Sequence, residues 1–301
     1  MNRRNIQNSK LISVLEPELL KSACVFSLPH SGRDYCPDFV KSSKLDYRTL
    51  RSSEDFFLDN FFNLAIKNGS SVIKANFPRS YLDLNREPYE LDPGMFNETL
   101  PEFINSSSKK VALGLGTIPR VVSNGAEIYT NKLSWFEAEK RIEKFYFPFH
   151  MNLKQLLIKN KFKFGFSILI DCHSMPSISQ GAYNSRNQIL PDFVLGDNCG
   201  KSADPNLIYF IEKFLDQKGY SVLRNKPYSG GFITQNYGRP INKIHAVQIE
   251  INRSLYMNEI TMELNESFII LKQTLHELVR ALCEINTLDF FKNQNSQLAA
   301  E

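Results

Sequence analysis

One stretch constrains the fold of this chain more than any other: Phe164–Pro176, FGFSILIDCHSMP. Ile168, Leu169 and Ile170, with Phe166 just before them, make an apolar run without polar alternation. A strand with one wet face alternates. This one reads as covered on both faces, as in the middle of a mostly parallel sheet. Asp171, Cys172, His173 and Ser174 follow at once. A buried strand therefore carries reactive groups to its C-terminal end, the rim where open α/β sheets bind ligands.

The rest of the chain supplies elements for such a sheet. Ala23–Leu28 is a short apolar strand ending in Pro29-His30-Ser31-Gly32, so a second histidine stands at a strand end before a turn. From Glu54, the residues Phe57, Phe61, Leu64 and Ala65 recur at helical spacing, with Gly69 as the C-cap. Asp55 and Asp59 then share one helical face. Ser71–Asn76 reads as a strand, and Val111–Thr117 as a strand or a bulged one. Ser134-x-x-Glu137 opens a long helix toward Asn160 that Pro148 kinks or divides. Ser177–Asn198 reads as a long loop, Leu207–Leu215 as a helix closed by Gly219, and Tyr220–Leu223 as a strand. In His245–Ile251, HAVQIEI, Gln248, Glu250 and Asn252 take the face opposite Val247, Ile249 and Ile251. A polar face inside a buried sheet implies that it lines a site. Glu259 onward gives a C-terminal helix to about Ile285. Residues 1–20 read as an irregular lead-in, 21–290 as one domain, and 291–301 as a frayed tail.

Composition excludes several classes. The net charge is only +4 and the basic residues are scattered, which argues against a nucleic-acid partner. No apolar run approaches the ~18 residues of a membrane span, and the N-terminus lacks a signal-peptide core. Five cysteines, an odd number without a C-x-x-C pair, suit reduced thiols in a cytoplasm.

The chemistry gathers on a few residues. His30 and His173 at two strand ends, with an acid at a helix start, supply the three protein ligands of an open zinc site. His150 and His276, on predicted helices, and His245, on the apolar face of its strand, read as packing or hydrogen-bonding residues. Glu250 is the candidate general base for a metal-activated water. Asn85-Arg86 and Arg79 form a polar, cationic cluster. One arginine fork can grip a carboxylate, and another cation near the metal can stabilise an oxyanion.

The motifs VFSLPHSG, SEDFFLDNFF, RSYLDLNR, LIDCHSMPS, PYSGGFITQNYGRP and VQIEINRSLYM run in order from Val25 to Met257. In this succession the chain resembles the N-formylglutamate amidohydrolase (deformylase) family, itself similar to the zinc carboxypeptidases and aspartoacylase. The resemblance implies a single-domain α/β fold of the zinc-carboxypeptidase (phosphorylase/hydrolase-like) kind, its mixed, mostly parallel sheet flanked by helices. It also implies one Zn2+ and hydrolysis of an N-acyl amino acid. His30 of PHSG and His173 of DCHSMP match the zinc histidines. Asp55, which opens the next helix, matches the carboxylate ligand better than Asp59, while Asp34 lies in a loop. Asn85-Arg86 matches a pair that grips a substrate carboxylate, Arg79 an arginine that polarises the scissile carbonyl, and Glu250 the catalytic glutamate. The family often has Asp-Trp where this chain has Asp55-Phe56, and Leu91–Lys110 departs further from its pattern.

The expected protein is a cytoplasmic zinc amidohydrolase acting on N-formyl-L-glutamate or a close N-acyl acidic amino acid. Its partner is a small anionic substrate, not nucleic acid or membrane. The Gly230-Gly231 loop is expected to hold substrate, with Arg239 and Arg253 available to a second carboxylate. A carboxypeptidase-type peptidase and a non-catalytic binding protein on the same scaffold are the alternatives.

Overall fold

The computed structural model describes residues 6–9, 11–179, 188–285 and 288–291. Within them lies one eight-stranded sheet. Its strands in chain order are β1 (Ile6–Ser9), β2 (Ile12–Leu15), β3 (Cys24–Leu28), β4 (Ser71–Ala75), β5 (Ser167–Met175), β6 (Phe193–Gly196), β7 (Val222–Arg224) and β8 (Ile244–Asn252). Across the sheet they run β1-β2-β4-β3-β5-β8-β6-β7. The four central strands, β4, β3, β5 and β8, are mutually parallel. β2 and β6 flank them antiparallel.

The central strand is buried along its whole length, as its composition requires. Its two faces meet two cores. Ile168, Ile170 and Cys172 pack with Val247 and Ile249 against the helices α1 (Leu58–Phe62), α3 (Pro205–Gln217) and α4 (Phe268–Cys283). Leu169 joins Val25, Ile73 and Ala246 under α2 (Phe147–Phe164). Each such fully buried aliphatic side chain contributes about 1.5–3 kcal/mol. Among the described residues no helix is long and apolar enough to cross a membrane.

Five expectations need correction. The lead-in is not irregular throughout: its described residues Ile6–Ser9 and Ile12–Leu15 form an antiparallel hairpin, β1 and β2, on the sheet edge. Residues 111–117 are not a strand. Ser108 caps a short helix, Lys109–Ala112, and Gly114 at φ +74° ends it. The long loop after β5 contains β6, four buried residues paired with β8. The helix expected from Glu54 begins only at Leu58, because Phe57 takes a left-handed conformation at φ 61°. The C-terminal helix begins at Phe268, preceded by a small hairpin of Met257–Asn258 with Glu263–Leu264. There the Asn258 side chain accepts the Ile260 and Thr261 amides and turns the chain. Pro148 sits in the first turn of α2, just after a π-helical turn at Ile142–Tyr146, and so divides the long helix as expected. The tail beyond Phe291 lies outside the described residues.

Parallel strands end at the same edge of a sheet, so the loop after β3 and the ends of β5 and β8 meet there. Glu250 is in register with His173, and Gln248 with Asp171. Alternation puts Asp171 and His173 on the face of Leu169, and Gln248 and Glu250 on the face of Ala246. The apolar core of that face thus gives way, toward the rim, to polar side chains.

Candidate active site

His30, Asp55 and His173 converge at this rim. One ligand atom from each lies within 4.8 Å of the others, and all three residues are buried. The two imidazole centroids are 4.8 Å apart. Asp55 Oδ2 is 3.0 Å from His173 Nδ1 and 3.6 Å from His30 Nδ1. The outer nitrogens are held by other acids: His30 Nε2 lies 2.7 Å from Asp83 Oδ1, and His173 Nε2 lies 2.9 Å from Asp171 Oδ2. A carboxylate accepts from Nε2–H, which leaves Nδ1 to turn its lone pair inward. His30 Nδ1 is buried without a hydrogen-bond partner. Two imidazole nitrogens and a carboxylate oxygen, with carboxylates behind the rings, fit a divalent cation of the zinc type.

Local folding explains why Asp55 and not Asp59 is there. The Asp55 amide donates to His30 O at 3.0 Å, which ties the two residues together before the helix starts. Asp55 Oδ1 accepts from Ser174 Oγ at 3.1 Å. Asp59, one turn into the helical region, points away and pairs with Arg33 and Lys74. The two acids therefore do not share a face, because Phe57 breaks the helical path between them.

The charges of the cluster support one another. Burial alone would raise the Asp55 carboxyl, but hydrogen bonds and charge from His173 and His30 outweigh it and hold it well below the usual range. Asp83 is likewise held down against burial by Arg79, Arg86 and His30. For His173, burial is outweighed by Asp171 and Asp55, which favour the proton strongly.

Glu250 stands beside this cluster. Burial is the main cause that pushes its carboxyl up to about 7, with Asp55 adding to it and His173 and Arg79 opposing. Gln248 Nε2 donates to Glu250 Oε1 at 2.8 Å, and Gln248 Oε1 accepts the Gly231 amide at 2.8 Å. Gly231 must be a glycine here, since a Cβ would fall 2.4 Å from Asn85 Nδ2. Gly230 occupies φ +109°. The Gly-Gly pair thus lets its loop close against Asn85 and Gln248.

The cations divide. Arg79 Nε donates to Asp83 Oδ2 at 2.9 Å, and its terminal nitrogens have no hydrogen bond among the described residues. Its charge is felt by Asp55 and Glu250. Arg86 gives Nε to Leu115 O at 2.8 Å and Nη1 to Asn85 O at 2.7 Å, which leaves Nη2, 3.6 Å from Asp83. Asn85 Nδ2 donates to Gln248 Oε1 at 3.4 Å and to Asp171 Oδ2 at 3.5 Å, and Asn85 Oδ1 accepts the Ile233 amide, so Asn85 locks the loop after Gly231 to the polar ends of β5 and β8. Two expectations fail. Arg253 is buried beneath Asp55, its guanidinium held by Ser174 Oγ, Ser52 O, Glu54 O and Asp55 Oδ1. It positions the acid and is not available to a second carboxylate. Arg239 bonds by its backbone to Ile244, at the opposite end of β8. Six residues separate Ile244 from Glu250, about 20 Å of extended strand.

Sequence reasoning placed Asp171 and Gln248 at the rim without giving either a role, and it gave no role to Asp83 or Tyr228. Asp171 and Gln248 each lie two residues before a residue already singled out, on the same strand face, so alternation makes them natural partners of those residues. Tyr228, two residues before Gly230, packs on Met175, Leu190 and Val194. Its hydroxyl is raised to about 12 by burial and by Glu250. No local signal marked Asp83.

The model of the N-formylglutamate amidohydrolase family matches residues 22–257, which include every residue of the cluster. The chain belongs to the N-formylglutamate amidohydrolase family. An N-formylglutamate deformylase of Pseudomonas aeruginosa is 28% identical over 238 residues, covering 78% of this chain and 82% of that protein. One from Pseudomonas putida is 29% identical with the same coverage. The crystal structure of an N-formylglutamate amidohydrolase from Ralstonia eutropha superposes with a TM-score of 0.85 at 34% identity, covering 92% of this chain and 98% of that one.

Proposed function

We propose that this protein is a zinc-dependent amidohydrolase that cleaves N-formyl-L-glutamate, or a close N-acyl acidic amino acid, to L-glutamate and formate or the corresponding acid. The observation that carries this is the buried His30–Asp55–His173 cluster set beside a buried Glu250. The names of the curated relatives supply the substrate class. A metal held by His30, His173 and Asp55 would supply a lowered pKa for water and polarisation of the carbonyl.

Glu250 takes the proton of the attacking water and returns it to the leaving amide nitrogen. Its Oε1 is fixed by Gln248, which leaves Oε2 for that task. Arg79 turns its free terminal nitrogens to the carbonyl oxygen, where negative charge develops. Arg86 offers Nη2 to the substrate α-carboxylate, and Asn85 holds the Gly230-Gly231 loop in place. Five free cysteines support a reducing compartment such as the cytoplasm.

A panel of N-formyl, N-acetyl and N-succinyl amino acids together with unblocked dipeptides, assayed with zinc-loaded protein, tests the proposal. Formate release with N-formyl-L-glutamate as the preferred substrate is expected. Release of amino acids only from unblocked dipeptides would indicate a peptidase, and no turnover of any substrate a binding protein.

A further inference from the structure

The substrate proposed above carries two carboxylates, yet Arg86 can serve only one, and neither Arg239 nor Arg253 can serve the other. The nearby cations Arg33, Arg51 and Lys74 are paired with Asp59 or Glu54. Lys110 differs. Its ammonium makes no hydrogen bond or ion pair among the described residues, yet it senses the charges of Arg86 and Arg79.

The backbone holds Lys110 at this edge of the site. Lys110 O accepts the Leu115 amide at 2.8 Å, and Leu115 O accepts Arg86 Nε at 2.8 Å. Val111 beside it is buried, and Ser108 Oγ bonds both the Val111 amide and Glu90. Thr117 bridges from Glu90 O to the Asp83 amide at 2.8 Å each. The loop is thus laced to the segment carrying Asp83 and Arg86.

The local charge is unbalanced. Asp83 is already occupied by His30 on one oxygen and Arg79 on the other. Glu90 is engaged by Ser108. Three cations, Arg79, Arg86 and Lys110, thus stand against two carboxylates, Asp83 and Glu90, which offset them only in part. Desolvation and then the two arginines lower the Lys110 ammonium although the residue as a whole stays exposed, and burial, with Arg79 as the opposing cation and Asp83 and Glu90 offsetting in part, lowers Arg86. An anion between them relieves this repulsion.

We infer that Lys110 receives the distal carboxylate of the substrate and so selects an acidic over a neutral amino-acid side chain. The inference rests on the proposed amidohydrolase reading and deepens it. Lys110 is exposed, and its four-carbon stem lets the ammonium follow the carboxylate.

The test is steady-state kinetics of the zinc-loaded wild type, Lys110→Met and Lys110→Glu on N-formyl-L-glutamate and its neutral isostere N-formyl-L-glutamine. The wild type should prefer the glutamate compound. Lys110→Met should raise its KM by about 10- to 100-fold, the worth of one charge-assisted hydrogen bond. The loss should fall on the anionic substrate, so that the preference collapses toward one, and Lys110→Glu should reverse it. A wild-type preference retained in both variants, or equal losses on both substrates, would overturn the inference alone. A wild type that hydrolyses neither substrate would overturn the amidohydrolase reading and the inference with it.

Discussion

Glu250→Gln is expected to lower kcat on N-formyl-L-glutamate by about 10²–10⁴-fold, the range of a positioned general base. Glutamine keeps the shape of glutamate but cannot accept the proton of water. KM and bound metal should stay near wild type, because Glu250 is not among the three converging ligands. The pH profile adds a second readout. Burial pushes the Glu250 carboxyl up to about 7. A carboxylate base works only when deprotonated, so kcat/KM should rise with pH as Glu250 ionises and fall on the acid side. A cation in the cluster adds positive charge nearby and moves that acid limb below about 7. The limb should be absent from the residual activity of Glu250→Gln. Wild-type turnover in this variant would remove Glu250 from the chemistry.

Asp55→Ala should be more damaging still, with both stoichiometric metal and activity lost. It removes one of three converging ligands and leaves the Arg253 guanidinium buried without the charge it faces. The loss of metal affinity should exceed the 10- to 100-fold typical of an outer partner of a ligand. Asp59→Ala is the contrast. Asp59 pairs with Arg33 and Lys74 on a partly exposed surface, where an ion pair is worth up to about 1 kcal/mol. That variant should bind metal and turn over like wild type. Metal analysis and formate release on the two variants measure the difference directly. Metal retained in Asp55→Ala and lost in Asp59→Ala would reverse the assignment.

Much of this site could be read from local pattern because its main residues stand on buried parallel strands or just beyond their ends. The apolar run of Phe166–Ile170 requires two covered faces, so His173 had to lie at a sheet rim. The alternation of HAVQIEI exposed the polar face of Glu250 before any fold was known. His30 follows its strand by two residues, and parallel strands carry their ends to one edge. What pattern could not give lay in irregular segments. Asp83 reaches His30 across 53 residues without any regular element to predict the contact. Helical spacing alone puts Asp55 and Asp59 on one face; the resemblance favours Asp55, and the left-handed Phe57 separates the two in the fold. Arg239 and Arg253 both lay close to motifs of the site, but the sheet sends them to opposite ends of one strand. β6 escapes the pattern because its three apolar residues, Phe193–Leu195, are flanked by Pro-Asp and by Gly-Asp-Asn; pairing with β8 makes it a strand.

The measurement that bears most directly on the His30–Asp55–His173 centre is depletion and reconstitution. Protein stripped of metal by a chelator and dialysed should release no formate from N-formyl-L-glutamate. Added Zn2+ should restore activity in proportion to bound metal and saturate at one ion per chain. Full formate release by protein that holds no metal would contradict the proposed mechanism.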